Sequence, residues 1–242
     1  SAVKAAGQMW TDSMQMQDHT EPTPFTSEEI KSTLEEYINS AKNAVEAGFD
    51  GIELHAANGY LLEQFLSPHT NQRTDEYGGS VENRCKFVLD VAKGCSDAIG
   101  KEKVAIRVSP YGAFNDMPSY PEIEQTYKYL TAELNKIGLV YIHIVDHSSM
   151  GAPEVPRKIK ETIRNEFKNT VILSGGYGLE SAEKELEGDV ADLVAFGKPF
   201  INNPDFVERL KNGYPLNTDL NMDAFYTADE KGYTDYLFYS KI

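Results

Sequence analysis

Residues 51–60 read GIELHAANGY, and an apolar run there is followed closely by an imidazole (His55), an amide (Asn58) and a phenol (Tyr60). His and Asn can both donate to one oxygen, polarising a carbonyl or holding an oxyanion. A phenol, protonated at neutral pH, can deliver a proton to a developing carbanion. No acidic partner lies close in sequence, so a nucleophile–base pair has no support. The alternative is that His55 and Asn58 satisfy loop backbone groups while Tyr60 packs, and the residues alone leave both readings open. A second group is SGG at 174–176 with GK at 197–198. Converging backbone N–H groups and one ammonium suit a phosphate dianion, although Gly175, Gly176 and Gly178 equally suit tight turns. Arg107 lies inside the apolar run VAIRVSP. A guanidinium in a buried strand must meet an anion or a set of acceptors, which means a core carboxylate or a ligand.

These residues need elements to position them, and the chain supplies an alternation. Residues 28–47 carry Leu34, Ile38, Ala41 and Val45 at helical spacing, opened by a capping-box pattern at Thr26 and Glu29 and closed at Gly48. A strand is expected near 50–55, a helix over 80–99, a strand over 103–109 and a helix over 121–137. Then come a strand at 140–145, a helix across 155–167, a strand at 170–175, a short helix at 179–187 and a strand at 192–197. NPDFVERLKNG starts a last helix, with Pro204 at the first position and Gly213 past its end. Five apolar strands alternating with helices predict a parallel sheet covered by helices. His55, Arg107, Asp146 with His147, Ser174–Gly176 and Gly197–Lys198 all fall at or just past strand C-terminal ends. In a (β/α)₈ barrel those ends ring one mouth, and the last two loops commonly bind phosphate. An open doubly wound sheet shares the rule about strand ends, but no G-x-G-x-x-G follows a first strand here. The expected fold class is therefore α/β, a TIM-type (β/α)₈ barrel with about the last five β/α units, forming a single domain over 1–242 that is incomplete at its N-terminus. The first 25 residues show no convincing strand.

Composition narrows the function class. Hydrophobic residues make up 40% of the 242, enough for a sizeable core. A formal net charge of −15 argues against nucleic acid or an anionic membrane as partner, and any anionic ligand must be held by a few local cations and backbone amides. No apolar run is long enough to span a membrane, and SAVKAAGQMW lacks the layout of a signal peptide. Cys85 and Cys95 share one expected helix without metal-ligand spacing, so they are read as reduced core thiols and no metal site is expected. A soluble, cytoplasmic protein is the expectation.

The stretch HAANGYLLEQFLSPHTNQRTDEYGGSVENR resembles the signature of the Old Yellow Enzyme family of flavin-dependent ene-reductases, and VAIRVSPYGAFN, VILSGGY, VAFGKPFINNPDFVERL and AFYTADEKGYTDY continue the match in order. The resemblance implies a (β/α)₈ barrel with FMN bound non-covalently at the C-terminal mouth. It implies NADPH or NADH as reductant, and as substrate an enone or nitroalkene that takes hydride at its β-carbon. Carried over, His55 and Asn58 bind the substrate oxygen and Tyr60 protonates the α-carbon. Arg107 lies near the N1–C2 edge of the flavin. Ser174, Gly175 and Gly176, with Phe196, Gly197 and Lys198, hold the phosphate, and Tyr226 lines the substrate pocket. Lys198 stands where many members have arginine, a point charge in place of a fork, and Ala195 replaces a frequent glycine. His55 follows what resembles the family's fourth strand, so the segment corresponding to the first three strands is not in this sequence. A missing N-terminal fragment or a homo-oligomer is accordingly an expected partner. Two other readings stand beside this one. The first is a non-catalytic fragment or assembly module that needs a further segment to bind flavin. The second is another phosphate-binding barrel enzyme such as an aldolase, though the strand ends offer no clear catalytic lysine or carboxylate pair.

Overall fold

The structure, a computed structural model, describes residues 2–226 and 229–240. Two short antiparallel strands, β1 (Gln8–Trp10) and β2 (Met16–Asp18), form a hairpin within the first 25 residues, where the sequence pattern predicts no strand. All six strand residues are exposed, so the buried–exposed alternation that marks a strand in sequence is absent. The Ala6 N–H ties the segment to the Asp116 carboxylate at 2.9 Å.

α1 (Ser27–Glu46) follows. Thr26 accepts from the Glu29 N–H and the Glu29 carboxylate accepts from the Thr26 N–H, so the expected capping box is present. Five parallel strands then appear in chain order: β3 (Ile52–Ala56), β4 (Val104–Val108), β5 (Tyr141–Val145), β6 (Thr170–Ser174) and β7 (Leu193–Ala195). They are separated by α2 (Leu61–Leu66), α3 (Val81–Ile99), α4 (Ile123–Ile137), α5 (Arg157–Glu166) and α6 (Leu179–Glu187). Two short helices follow β7, α7 (Lys198–Ile201) and α8 (Phe206–Asn212). Pro204 lies two residues ahead of α8 and not at its first position, because the helix begins only at Phe206. α2 has no counterpart in the sequence pattern; it is short and mostly buried, so it has no polar face to set a helical period.

One face of each of β3 to β6 supplies the core. Val104, Ile106, Val108, Ile142, Ile144, Val171 and Leu173 are buried under the helices, against Val88, Val91 and Cys95 of α3, Leu130 and Leu134 of α4, and Ile159 and Ile163 of α5. Cys85 and Cys95 are buried and free, and burial raises both thiols, to about 12 and about 11. The alternate positions of the same strands point the other way and carry polar residues, Glu53 and His55 on β3, Arg107 on β4, His143 on β5 and Ser174 on β6, with Ala105, Val145 and Ile172 among them. A period of two thus sorts apolar residues to the core and chemistry to the opposite, concave face. Among the described residues no helix is long and apolar enough to cross a membrane.

Candidate active site

Parallel register places His55 beside Arg107, and Arg107 beside His143. Just beyond β3 the chain turns sharply. Asn58 and Gly59 both adopt left-handed backbone, φ 60° and 72°. Asn tolerates that conformation better than other side chains. Gly59 has no substitute, because a Cβ there would lie 2.6 Å from the Phe114 carbonyl oxygen and 2.8 Å from Asn115 Cβ. The turn delivers Tyr60 to the N-cap position of α2, where its side chain makes no capping bond. Its ring sits 5.3 Å from that of His55, centroid to centroid, so the imidazole and phenol form one surface. Tyr60 also faces a cleft of about 590 Å³ that runs under the hairpin, with Trp10, Met16, His19, His69 and Met117 on its walls.

Among the described residues, three buried side-chain atoms at these strand ends have no partner: Asn58 Oδ1, Arg107 Nε and His147 Nδ1. Buried polar groups in folded proteins are nearly always satisfied, by protein, water or ligand, so these atoms are open to a further partner. Burial first, then the Arg107 charge, hold His55 below its usual value, with Glu53 opposing. The imidazole is therefore neutral at pH 7 and offers one N–H to an acceptor.

The residues expected to hold phosphate lie on adjacent strands, since Ser174 pairs with Ala195 in register and the loops leave at one level. Their glycines differ in kind. Gly175 has φ 121°, and a Cβ there would lie 1.9 Å from the Asp146 carbonyl oxygen, so it is needed to pack one strand end on the next. Gly197, with φ −99° and nothing within 4 Å of a Cβ, has no such need within the chain. Lys198 is exposed and forms no ion pair among the described residues. Phe196 packs its ring 5.1 Å from that of Phe206 and so anchors its loop to α8. Tyr226 stands apart. It is 93% exposed, its ring meets that of Phe225, and it does not line the cleft at Tyr60.

Two residues on the concave face, His143 and Glu53, were not singled out by sequence reasoning. His143 joins Nδ1 to Glu53 at 3.0 Å and Nε2 to the Ser174 hydroxyl at 2.8 Å, a row crossing three strands. Burial raises the Glu53 carboxyl, but the His143 hydrogen bond and charge, with Arg107, bring it below the ordinary value. The signal was present, because His143 interrupts an apolar strand just as Arg107 does. Asp146, just past the end of β5, organises its own loop. Its carboxylate accepts from the Ser148 and Val155 N–H groups and from Lys160.

Residues 4–217 match the NADH:flavin oxidoreductase / NADH oxidase family. The chain is 40% identical over 231 residues to enoate reductase 1 of Kluyveromyces lactis, covering 90% of this chain and 58% of that one. It is 38% identical over 242 residues to a protein of Leishmania infantum named "Probable flavin mononucleotide-dependent alkene reductase", covering 98% and 65%. Among solved structures, morphinone reductase superposes with a TM-score of 0.92 at 38% identity, covering 99% of this chain and 65% of that one. A complex of morphinone reductase with tetrahydroNAD gives 0.90 at 38% identity, covering 99% and 66%. The chain thus spans roughly three fifths of the length of the curated relatives it matches, and its parallel sheet corresponds to part of their barrel.

Proposed function

The chain belongs to the NADH:flavin oxidoreductase / NADH oxidase family, the Old Yellow Enzyme group, and on that premise we propose that it serves an FMN-dependent reduction of the C=C bond of α,β-unsaturated carbonyl or nitro compounds by NADPH or NADH. The observation that carries the reading is an orphaned buried donor, Arg107 Nε, in register beside the neutral His55. A flavin fits the donors present. Arg107 would face the electron-rich edge of its ring, and Ser174–Gly176 with Phe196–Lys198 would hold the phosphate, Gly197 leaving open space for it. Bound there, FMN supplies the hydride.

The chain's own side chains do the rest. His55 and Asn58 donate to the carbonyl or nitro oxygen, drawing electron density from the alkene and holding charge that develops on that oxygen. The Tyr60 hydroxyl gives its proton to the α-carbon and recovers one from solvent, through the cleft it faces. The apolar walls of that cleft, Trp10, Met16 and Met117, suit the hydrocarbon part of such a substrate. Tyr226 belongs to the proposal as a pocket residue only if the tail after α8 folds over the site.

A second reading rests on the open sheet. Among the described residues β3 and β7 are paired on one side only, which favours a non-catalytic fragment or assembly module that needs a further segment to bind flavin. One experiment separates the two. The chain is purified with and without the segment that precedes it in its relatives, and the visible spectrum and NADPH-dependent loss of cyclohexenone are recorded. Flavin absorbance with turnover, and a Tyr60→Phe variant that keeps the flavin but loses about 10²-fold or more in alkene reduction, are expected. Absence of flavin and of turnover in both preparations refutes the enzymatic reading.

A further inference from the structure

Three hydrogen bonds beside the site converge on a residue outside it. Glu63, in the first turn of α2, is 5% exposed. Its Oε2 accepts from the Gly59 N–H at 2.6 Å. Its Oε1 accepts from the Ser109 hydroxyl at 2.8 Å and from the Tyr127 phenol at 3.2 Å. The Ser109 hydroxyl in turn accepts from the Asn58 N–H at 2.9 Å. Both N–H groups of the left-handed turn therefore end on one carboxylate, directly or through one hydroxyl. The turn's carbonyls are held from the other side, by Gln64 Nε2 on Gly59 at 2.7 Å and by Asn115 Nδ2 on Asn58 at 2.8 Å.

We propose that Glu63 is a positioning residue that fixes the Asn58–Gly59 turn in its left-handed form and so sets the aim of the Asn58 amide and the Tyr60 phenol. What Asn58 and Tyr60 do with that aim rests on the functional reading above; the restraint itself does not. A carboxylate suits the position because three donors converge on it. An amide would turn an NH₂ toward one of them. A residue in a left-handed conformation needs such restraint, since the extended and right-handed regions are open to Asn58 at lower energy. The titratable groups around the carboxylate are the phenols of Tyr127, which bonds to it, and Tyr120, both pushed up by burial. Among the described residues no cation pairs with Glu63. Burial raises the carboxyl and the three hydrogen bonds lower it, with burial prevailing and leaving it at about 7.

Amide hydrogen exchange on the whole chain tests the assignment. Glu63→Leu and Ser109→Ala are each expected to speed exchange at Asn58 and Gly59 by about tenfold or more, while the core amides of Leu130 and Ile142 stay within about twofold. Glu63→Gln, which keeps the shape and one acceptor, is expected to restore most of the protection. In the flavin-loaded enzyme Glu63→Leu raises KM for the alkene and lowers kcat, and Glu63→Gln recovers both in part. Unchanged exchange at residues 58 and 59 in both disruptive variants overturns the proposal, as does equal acceleration across the core. Should the chain bind no flavin, exchange still decides the role of Glu63, and that failure falls on the functional reading alone.

Discussion

At the scale of single residues, Glu63 also makes folding depend on pH in an unusual direction. Most perturbed carboxyls here, Glu53 and Asp146 among them, are held below their ordinary values. Glu63 is raised from 4.5 to about 7, chiefly by burial, with its three hydrogen bonds opposing. Between those values the folded protein keeps a proton that the unfolded chain has released. Stability attributable to Glu63 therefore falls as pH rises through that window, by about 3 kcal/mol in all. His55 and His147, both lowered first by burial and then by Arg107, act in the opposite sense over part of the range. Denaturant unfolding of wild type and Glu63→Gln at pH 5 and pH 8 cancels them, and the difference between the two proteins should shrink or invert by about that amount. A difference that stays flat would mean the carboxylate is ionised throughout. His55, Asn58, Tyr60 and Arg107 were legible in the sequence because each is polar where a strand or its end is expected. Glu63 was not, since no element was expected around it, and only the packing of Ser109 and Tyr127 shows that this acid is buried.

At the scale of elements, the two loops proposed to hold phosphate contain glycines kept for different reasons, and substitution should separate them. Gly175→Ala sets a Cβ against the Asp146 backbone at a φ that side chains avoid, and is expected to lower stability by about 2–4 kcal/mol. Gly197→Ala meets nothing within the chain, so stability should change by less than about 0.5 kcal/mol while FMN binding weakens. Unfolding midpoints and flavin titration of the two variants check this together. Equal destabilisation by both would remove the distinction. The five parallel strands and the longer helices were readable from their periodicity and caps. What escaped were short elements: the β1–β2 hairpin, whose residues are exposed, and α2, which is buried nearly all round. Pro204 misled because its preference for a first helical turn is local, whereas the start of α8 is set by Phe206 packing against Phe196 and Phe200.

At the scale of the whole molecule, a net charge of −15 surrounds a site read as receiving a dinucleotide that is itself anionic. Long-range repulsion slows that encounter and is screened beyond about 10 Å at 0.1 M salt. Raising ionic strength from about 10 mM to about 150 mM should therefore increase kcat/KM for NAD(P)H severalfold; a decrease would mean that the few local cations, Lys198 and Arg107 among them, dominate capture. The parallel barrel sheet was legible from five strands, but the open outer edges of β3 and β7 were visible only as a count that fell short of eight. The order of those strands carries one more consequence. Each of β4 to β7 lies beside the strand just before it in the chain, so none of the pairings within this sheet skips a strand. During synthesis the sheet can lengthen one β/α unit at a time, every emerging strand meeting a neighbour already docked, with α3 available to cover β3 and β4 before β5 leaves the ribosome.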